Sequence, residues 1–395
     1  LAGFAGVMAA PLYQVNAGMG SELIIVVFAV VVIGGMGSII GAVISGFGLG
    51  IIEGLTKVFY PEASTTAVFL VMAIVLLIRP SGLFGVVMSH RPDPSETASP
   101  GAIPFLDTRR TYLILLAALI VAPAVIYPPF LLKVLCFTLL ACSFNLLLGY
   151  CGMLSFGHAA FYGAGTYAAA VCAKSAGLDP LSSVLVGALA AMVLGAAFGF
   201  LSIRRQGIYF SMITLALAQM FYFFIVQAEF SGNDEGIQAV PRGSFLGINL
   251  TDHLNMYYFA LVIAVASFIA INTVIASPFG LALKSIRDNE SRALSLGYPV
   301  ERYKWIAFVI SAFFAGIAGA LDALSFQLAS LTNVHWTMSG HAVLMGIIGG
   351  VGTLLGPLVG AVVVAALENY LASLGTWVLV VQLSLIHISE PTRRR

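Results

Sequence analysis

Residues 256–276 read MYYFALVIAVASFIAINTVIA, residues 277–304 read SPFGLALKSIRDNESRALSLGYPVERYK, and an apolar run resumes over 303–325. The first run carries no charge, and about 20 mostly apolar residues suffice for a helix to cross the hydrocarbon core of a bilayer. The stretch therefore reads as a membrane span, a charged loop and a second span. Outward from it, further apolar runs lie near 112–127, 131–148, 154–173, 182–202 and 208–227. A Gly-rich pair follows over 340–372, and a last apolar run reaches about 386. The run at 112–127 is short and contains Pro123, so its ends are the least defined.

Composition agrees. Of 395 residues, 60% are hydrophobic and 9% charged, against roughly 25% charged in an ordinary soluble domain; mean hydropathy is +1.01. In hydrocarbon the backbone must satisfy its own hydrogen bonds, which leaves helix bundles or closed barrels. Continuous apolar runs, rather than strict alternation, select the helices. The expected fold class is all-α: a polytopic transmembrane helix bundle with Gly-rich broken or re-entrant segments. A net charge of +1 implies no nucleic-acid partner.

The stretch 89–104 is polar and holds Pro92, Pro94, Pro100 and Pro104, a composition that makes a linker rather than a core. It divides the chain into 1–88 and 105–384. Basic residues orient the spans. Arg109, Arg110, Arg204, Arg205, Lys284, Arg287, Arg292, Arg302 and Lys304 share one side if spans alternate, and that side is expected to face the cytoplasm. The opposite loops hold Lys133, Lys174 and Arg242, and the outer loop 228–255 carries Glu229, Asp234, Glu235 and Asp252.

The two segments share an internal repeat. Gly34-Gly35-Met36-Gly37-Ser38-Ile39-Ile40-Gly41 matches Gly349-Gly350-Val351-Gly352-Thr353-Leu354-Leu355-Gly356, and the register continues to Glu53 and Glu368. Ala2–Gly6 matches Ala315–Gly319 with a two-residue offset. Segment 1–88 is thus expected to be the end of a paralogue of 105–384, and the chain starts at Leu1 with no signal peptide ahead of its first span. The glycines of the repeat (Gly349, Gly350, Gly352 and Gly356 in the second copy) permit either close helix approach or the non-helical turn of a re-entrant segment; the short flanking runs favour the turn.

Polar residues within spans are costly and often functional. Asn145, Ser155, Thr214 and Gln219 can line a pathway or tie helices together. His158 is expected to be a structural histidine bonded to a neighbouring helix carbonyl, with substrate contact as the alternative. Asp322 is expected to reach water at the outer end of its span, and His341 to lie near the outer surface. Cys136, Cys142, Cys151 and Cys172 lack metal or redox spacing and read as small packing residues. No metal site is expected, and no nucleophile, base and orienting group recur together, so an enzyme is not expected.

If Lys284 to Leu296 is helical, Leu281, Ile286, Ala293 and Leu296 form an apolar face. Such a helix can lie on the membrane surface or dock in a groove on a partner protein; pattern alone does not separate these. Arg287-Asp288-Asn289-Glu290 followed by Ala293 and Leu296-Gly297 resembles the cytoplasmic coupling loop of branched-chain amino acid ABC permeases of the LivM type. The resemblance extends to 149–161 (GYCGMLSFGHAAF), 207–216 (GIYFSMITLA), 232–242 (GNDEGIQAVPR), Tyr303–Ala320 and the Gly349–Gly356 repeat, covering essentially 105–384. Residues 78–85 (IRPSGLFG) resemble the end of the LivH-type partner permease.

The resemblance implies a permease in the bacterial inner membrane, multi-pass, that feeds branched-chain amino acids from a periplasmic binding protein into a pathway between two permease halves. Two cytoplasmic ABC ATPase subunits would bind the coupling loops, at Lys284, Arg287, Asp288, Glu290, Ala293, Leu296 and Gly297. No cofactor is expected on this chain; ATP is used by the partner subunits, and the chain has no GxxxxGK[ST] loop. Ser291 and Arg292 are more polar than the family's commoner residues, which assigns Arg292 to the surface. Residues 383–395 (LSLIHISEPTRRR) depart from the family and resemble translated adapter sequence, so 385–395 reads as a non-native tail and the joining of the two segments stays open to being artificial. Related permeases of this architecture carry urea or short amides. A secondary transporter or channel would need an ionisable coupling site at mid-membrane and leaves the 277–304 loop without a role; a membrane scaffold would not require Gly-interrupted spans.

Overall fold

The computed structural model describes residues 2–9, 19–79, 81–85, 109–245 and 247–370. The linker 89–104, the apolar run beyond 370 and the tail 385–395 lie outside the described residues. The chain forms two compact units, 1–88 and 89–395.

The first unit contains α1 (Ala2–Ala9), α2 (Met19–Gly34), α3 (Ile39–Phe59) and α4 (Ser64–Ile78). Helices α2 and α3 are joined by a tight turn in which Gly35 (φ +98°) and Gly37 (φ +85°) take left-handed conformations that strain any residue with a Cβ. Ser38 caps α3 by accepting from Gly41 N at 3.0 Å. The chain returns after α4, and Leu83 N and Phe84 N donate to Ile33 O and Gly34 O at 2.8 and 3.1 Å.

The second unit is built from α5 (Arg109–Val121), α6 (Pro128–Cys151), α7 (His158–Ser175), α8 (Pro180–Ser202), α9 (Gly207–Gln227), α10 (His253–Ala276), α11 (Pro278–Asp288), α12 (Glu290–Ser295), α13 (Val300–Phe326), α14 (Trp336–Gly349) and α15 (Gly356–Tyr370). Short strands β1 (Ile237–Gln238) and β4 (Leu328–Ala329) pair antiparallel, as do β2 (Ser244–Phe245) and β3 (Ile248–Asn249). Among the described helices, α3, α6, α8, α9, α10 and α13 are long and apolar enough to cross a membrane. The expected runs 131–148, 182–202, 208–227, 256–276 and 303–325 map onto α6, α8, α9, α10 and α13; the run 154–173 gives the shorter α7, and Pro123 ends the short α5 in a 3₁₀ turn over Ala122–Ala124. The protein is a multi-pass helical membrane protein.

Helix α13 is the hub, packed against α6, α7 and α8. Small residues make that possible: a Cβ on Gly319 would collide with Tyr162 O of α7, and one on Gly316 with the Ala191 side chain of α8. Without a hydrophobic drive between helices in lipid, such close backbone approach is what holds them together.

Alternation places both ends of the bundle. At one end, Tyr257 of α10 donates to Leu119 O of α5 at 2.6 Å, and Lys174 at the end of α7 donates to Gln238 O at 2.8 Å. At the other end gather the end of α6, the 203–206 turn, α11–α12 and the start of α13, the segments that hold Arg204, Lys284, Arg287, Arg302 and Lys304. This is the basic end.

Candidate functional site

The loop between α10 and α13 is not one helix. Ser277 caps α11 by accepting from Gly280 N, with Pro278 in the first helical position. Asn289 then leaves helical geometry (φ −159°, ψ 98°), and its Oδ1 accepts from Arg292 N at 2.9 Å, starting α12. An Asn cap followed by Glu290 in the first turn is a strong helix start, so the single helix over Lys284–Leu296 is corrected to two helices meeting at an elbow. α12 ends in a Schellman motif: Gly297 N donates to Leu294 O and Tyr298 N to Ala293 O, with Gly297 at φ +88°.

The break re-sorts the apolar face. Ile286 and Ala293 are buried with Val300 against the half-buried Tyr303, whereas Leu281 and Leu296 are 59% and 71% exposed. Those two do not belong to the buried face: Leu281 sits on the far side of α11, and Leu296 caps the end of α12 where the chain turns outward. Glu290 also turns inward, pairing with the buried Lys304 of α13 at 2.6 Å. Asp288 and Arg292 are exposed.

Two cations of α11 grip the end of α6. Arg287 Nη1 donates to Gly149 O at 2.5 Å, and Lys284 Nζ lies 5.4 Å from the Tyr150 ring. Carbonyls in a helix's last turn carry partial negative charge, which favours both. Arg287 also bonds Asp288 through Nε and Nη2 at 3.0 and 2.9 Å. Gly152 ends α6 in a left-handed conformation (φ +74°), and a Cβ there would stand 2.9 Å from Arg287 Cγ.

One turn back on α6, Asn145 is buried and holds the Gly-rich turn between α14 and α15. Its Nδ2 donates to Thr353 O at 2.8 Å, and its Oδ1 accepts from Gly352 N at 2.8 Å. Gly149 lies against the same turn, where an added Cβ would approach Gly352 N to 2.6 Å. Elbow, α6 end and Gly-rich turn are therefore in continuous contact. Gly350 (φ +96°) and Gly352 (φ +80°) reproduce the backbone of Gly35 and Gly37 in the first copy. Gly349 and Gly356 pack backbone to backbone, with no room for a Cβ on either. At 14 residues, bounded by His335 and Gly350, α14 reaches only about 21 Å at 1.5 Å per residue, short of a hydrocarbon core of about 30 Å.

Residues 152–157 leave the helix before α7 resumes at His158, and hydroxyls satisfy the freed backbone. Ser155 Oγ accepts from Gly157 N, Thr214 Oγ1 from Phe156 N, and Ser339 Oγ from Ala159 N while donating to Phe156 O. His158 is fully buried between Phe144 and Phe161. Its Nε2 lies 2.9 Å from Ser311 Oγ, which donates to Ser143 O at 2.7 Å. With its one hydrogen so used, Ser311 must accept, so His158 carries its proton on Nε2. Gln219 is buried on α9, but the structure does not bring it into this group.

At the opposite end, polar residues were not all where expected. Asp322 is buried and accepts from Asn333 Nδ2 at 2.8 Å; the segment after α13 folds back over it and shuts out the water. His341, partly exposed near the start of α14, pairs with Glu368 (3.2 Å), which also pairs with Lys133 at 2.7 Å. Lys133 thus lies within α6 and not in a loop; a Lys and a Glu inside apolar runs were the sequence signal for this group. Arg242 lies in the outer loop, as expected, and is buried there. It donates to Leu324 O, Ser325 O and Thr251 O, clamping the outer loop onto the end of α13. Burial lowers its pKa from the usual arginine value, with Asp252 acting against the shift. Among the described residues no His, Cys, Asp and Glu cluster could hold a metal.

The chain matches the family described as branched-chain amino acid transport system / permease component over residues 1–80 and 128–389. It belongs to that family. It is 26% identical over 250 residues to the high-affinity branched-chain amino acid transport system permease protein LivM of Escherichia coli, covering 57% of this chain and 59% of the relative. The LivM of Salmonella typhimurium is 25% identical over 321 residues, 72% of this chain and 73% of the relative. A probable branched-chain amino acid transport permease protein LivH of Methanocaldococcus jannaschii is 25% identical over 224 residues, 53% of this chain and 70% of the relative. The chain thus spans about three fifths of the first relative and under three quarters of the second. These relatives are transport permeases, not enzymes.

Proposed function

We propose that residues 105–384 form one half of an ATP-driven importer of branched-chain amino acids in the bacterial inner membrane, with 1–88 the end of a LivH-type half. The α11–α12 elbow is where two cytoplasmic ATPase subunits would engage it, the basic end being cytoplasmic. A periplasmic binding protein would deliver substrate at the outer loop, and the second permease half would complete the pathway.

The observation that carries this reading is the two-sided elbow. Its inner side is fixed to the bundle through Arg287–Gly149, Glu290–Lys304 and the Ile286–Ala293 core. Its outer side presents Leu281, Asp288, Arg292, Leu294 and Leu296 to a partner. A helix lying on lipid would need a purely apolar face; here Asp288 and Arg292 are exposed along with Leu281, Leu294 and Leu296, a mixed surface that suits a protein groove better. ATP-driven movement of the elbow would pass through Arg287 to the end of α6, and through Asn145 to the Gly-rich turn.

The test is co-purification of the chain with branched-chain-type ATPase subunits, then uptake in vesicles that also hold the second half and the binding protein. The Gly297→Val variant is expected to lose the ATPase. Nothing lies within 4 Å of an added Cβ there, so the change acts only through the left-handed backbone of the α12 cap, at about 1–2 kcal/mol. Retained ATPase binding and retained uptake in that variant would remove the coupling assignment. Labelled leucine should accumulate and labelled urea should not; the reverse would assign the chain to the urea or short-amide branch.

A further inference from the structure

A cleft of about 180 Å³ opens at the basic end between the last turns of α8 and the first turns of α13. Arg204 and Arg302 stand on its two sides, both exposed, and Trp305 and Phe200 form its walls. Gly199 lies at its base, where a Cβ would press on Trp305 Cδ1 and Phe308 Cδ1 at 3.0 Å, so the absence of a side chain there keeps the cleft open. Trp305 is fixed by donating its indole N–H to Ala196 O at 3.1 Å, and Arg204 lies over the Phe200 ring, 5.8 Å from its centroid. One carboxylate, Glu301, also lines the cleft.

The groove has an apolar continuation. Leu185, Leu189 and Val193 are exposed at successive four-residue steps along α8, and Phe200, seven residues on, continues that side towards Arg204 in the turn after the helix. Residues four or seven apart fall on one helix face, and the part from Val193 to Phe200 forms an apolar track leading from mid-membrane to the arginine pair, with Arg204 about 16 Å from Val193 at 1.5 Å per residue. On α13, Ile306 is exposed next to Trp305. An apolar track ending in two guanidinium groups, with a Trp at the level where aromatic residues settle in the interface, is complementary to one kind of molecule.

We propose that this cleft is a binding site for an anionic phospholipid of the inner leaflet. Its phosphodiester takes the Arg204–Arg302 pair, for which a guanidinium fork is well matched, and one acyl chain lies along the Val193–Phe200 track. Basic pockets between membrane helices on this side hold anionic headgroups for the same reason. Glu301 restrains the affinity and disfavours a ligand with a second negative charge close to the phosphate. The site joins α8 to α13, the hub helix whose Lys304 holds the elbow, so its occupant would stiffen the base on which the elbow moves. The lipid assignment does not depend on which substrate the chain transports.

Native mass spectrometry of the full chain, released from nanodiscs containing phosphatidylglycerol and phosphatidylethanolamine in equal amounts, tests this. Phosphatidylglycerol adducts should exceed phosphatidylethanolamine adducts several-fold, and the Arg204→Gln/Arg302→Gln double variant should lose that preference. Glu301→Gln should raise phosphatidylglycerol retention, which a misfolded protein would not do. Val193→Glu, on the track and away from the headgroup, should weaken retention of both lipids while leaving the arginines intact. Inorganic phosphate at millimolar concentration should not displace the adduct; displacement would make this a free-anion site. Equal retention of the two lipids by wild type, or an unchanged preference in the double arginine variant, would overturn the proposal.

Discussion

Replacing Asn145 with Ala cuts the link between α6 and the Gly-rich turn without touching the elbow or any surface offered to a partner. The side chain is 4% exposed, and its loss leaves Gly352 N–H and Thr353 C=O without their 2.8 Å partners. In water-soluble proteins an unsatisfied buried group costs about 1–3 kcal/mol, so two would cost about 2–6. Interhelical hydrogen bonds measured within a membrane average about 0.6 kcal/mol, because the alternative state finds other partners; two then cost about 1.2. The bonded groups lie in the Gly-rich turn beside the end of α6, where backbone is already freed, so the lower half of that span applies: about 1–3 kcal/mol, or roughly 5- to 150-fold in the docked population. Thermal unfolding in detergent should show a loss of stability, and leucine uptake per ATP hydrolysed should fall while ATPase binding persists. Asn145→Asp should be no better than Ala, since its carboxylate keeps the acceptor for Gly352 N–H but faces Thr353 O with a second acceptor. Wild-type stability together with wild-type coupling in Asn145→Ala would refute the argument that this residue transmits the elbow's movement.

Three further outcomes are expected. Gly349→Ala should disrupt the α14–α15 turn and lower thermal stability or yield of folded protein, because the new Cβ meets Gly356 backbone. Gly340→Ala on the same helix α14, with nothing within 4 Å, should be neutral or stabilising by up to about 1 kcal/mol; equal behaviour of the two would contradict the packing. Glu290→Ala should strand the buried Lys304 ammonium and cost about 1–3 kcal/mol, below the full value for a buried pair because Glu290 is 29% exposed, whereas Glu290→Leu/Lys304→Met should recover most of the loss in a melting experiment. Arg287→Lys should weaken coupling more than stability, since an ammonium can still reach one carbonyl but cannot also bond Asp288 through the planar fork; unchanged coupling would show that the fork is not needed.

Most of the fold was legible because lipid forces a simple code: each apolar run over 105–325 became a helix. The bonds that build the site were less so. Asn145 could be marked as a costly polar residue in a span, but its partners lie more than 200 positions away, and no spacing rule connects them. Asp322 misled because its place near a helix end suggested water, whereas Asn333 is carried back over it by the 3₁₀ turn after β4. The elbow was legible in principle: Asn289 followed by Glu290 is a cap signature. Apolar periodicity runs across it, and periodicity does not register a break when residues on both sides are mixed in polarity.

The two copies of the Gly-rich turn separate what is local from what is contextual. Gly35 and Gly350 have φ of +98° and +96°, and Gly37 and Gly352 have +85° and +80°, so the glycines impose the turn whatever surrounds it. What holds each turn differs. In the first copy, Leu83 and Phe84 amides bond the carbonyls of Ile33 and Gly34; in the second, Asn145 bonds the amide of Gly352 and the carbonyl of Thr353. A turn formed by its own residues but docked by others can detach without unfolding. A moving part needs that property, and it implies that Gly349 and Asn145 variants fail differently: the first by losing the turn, the second by keeping a turn that no longer follows α6.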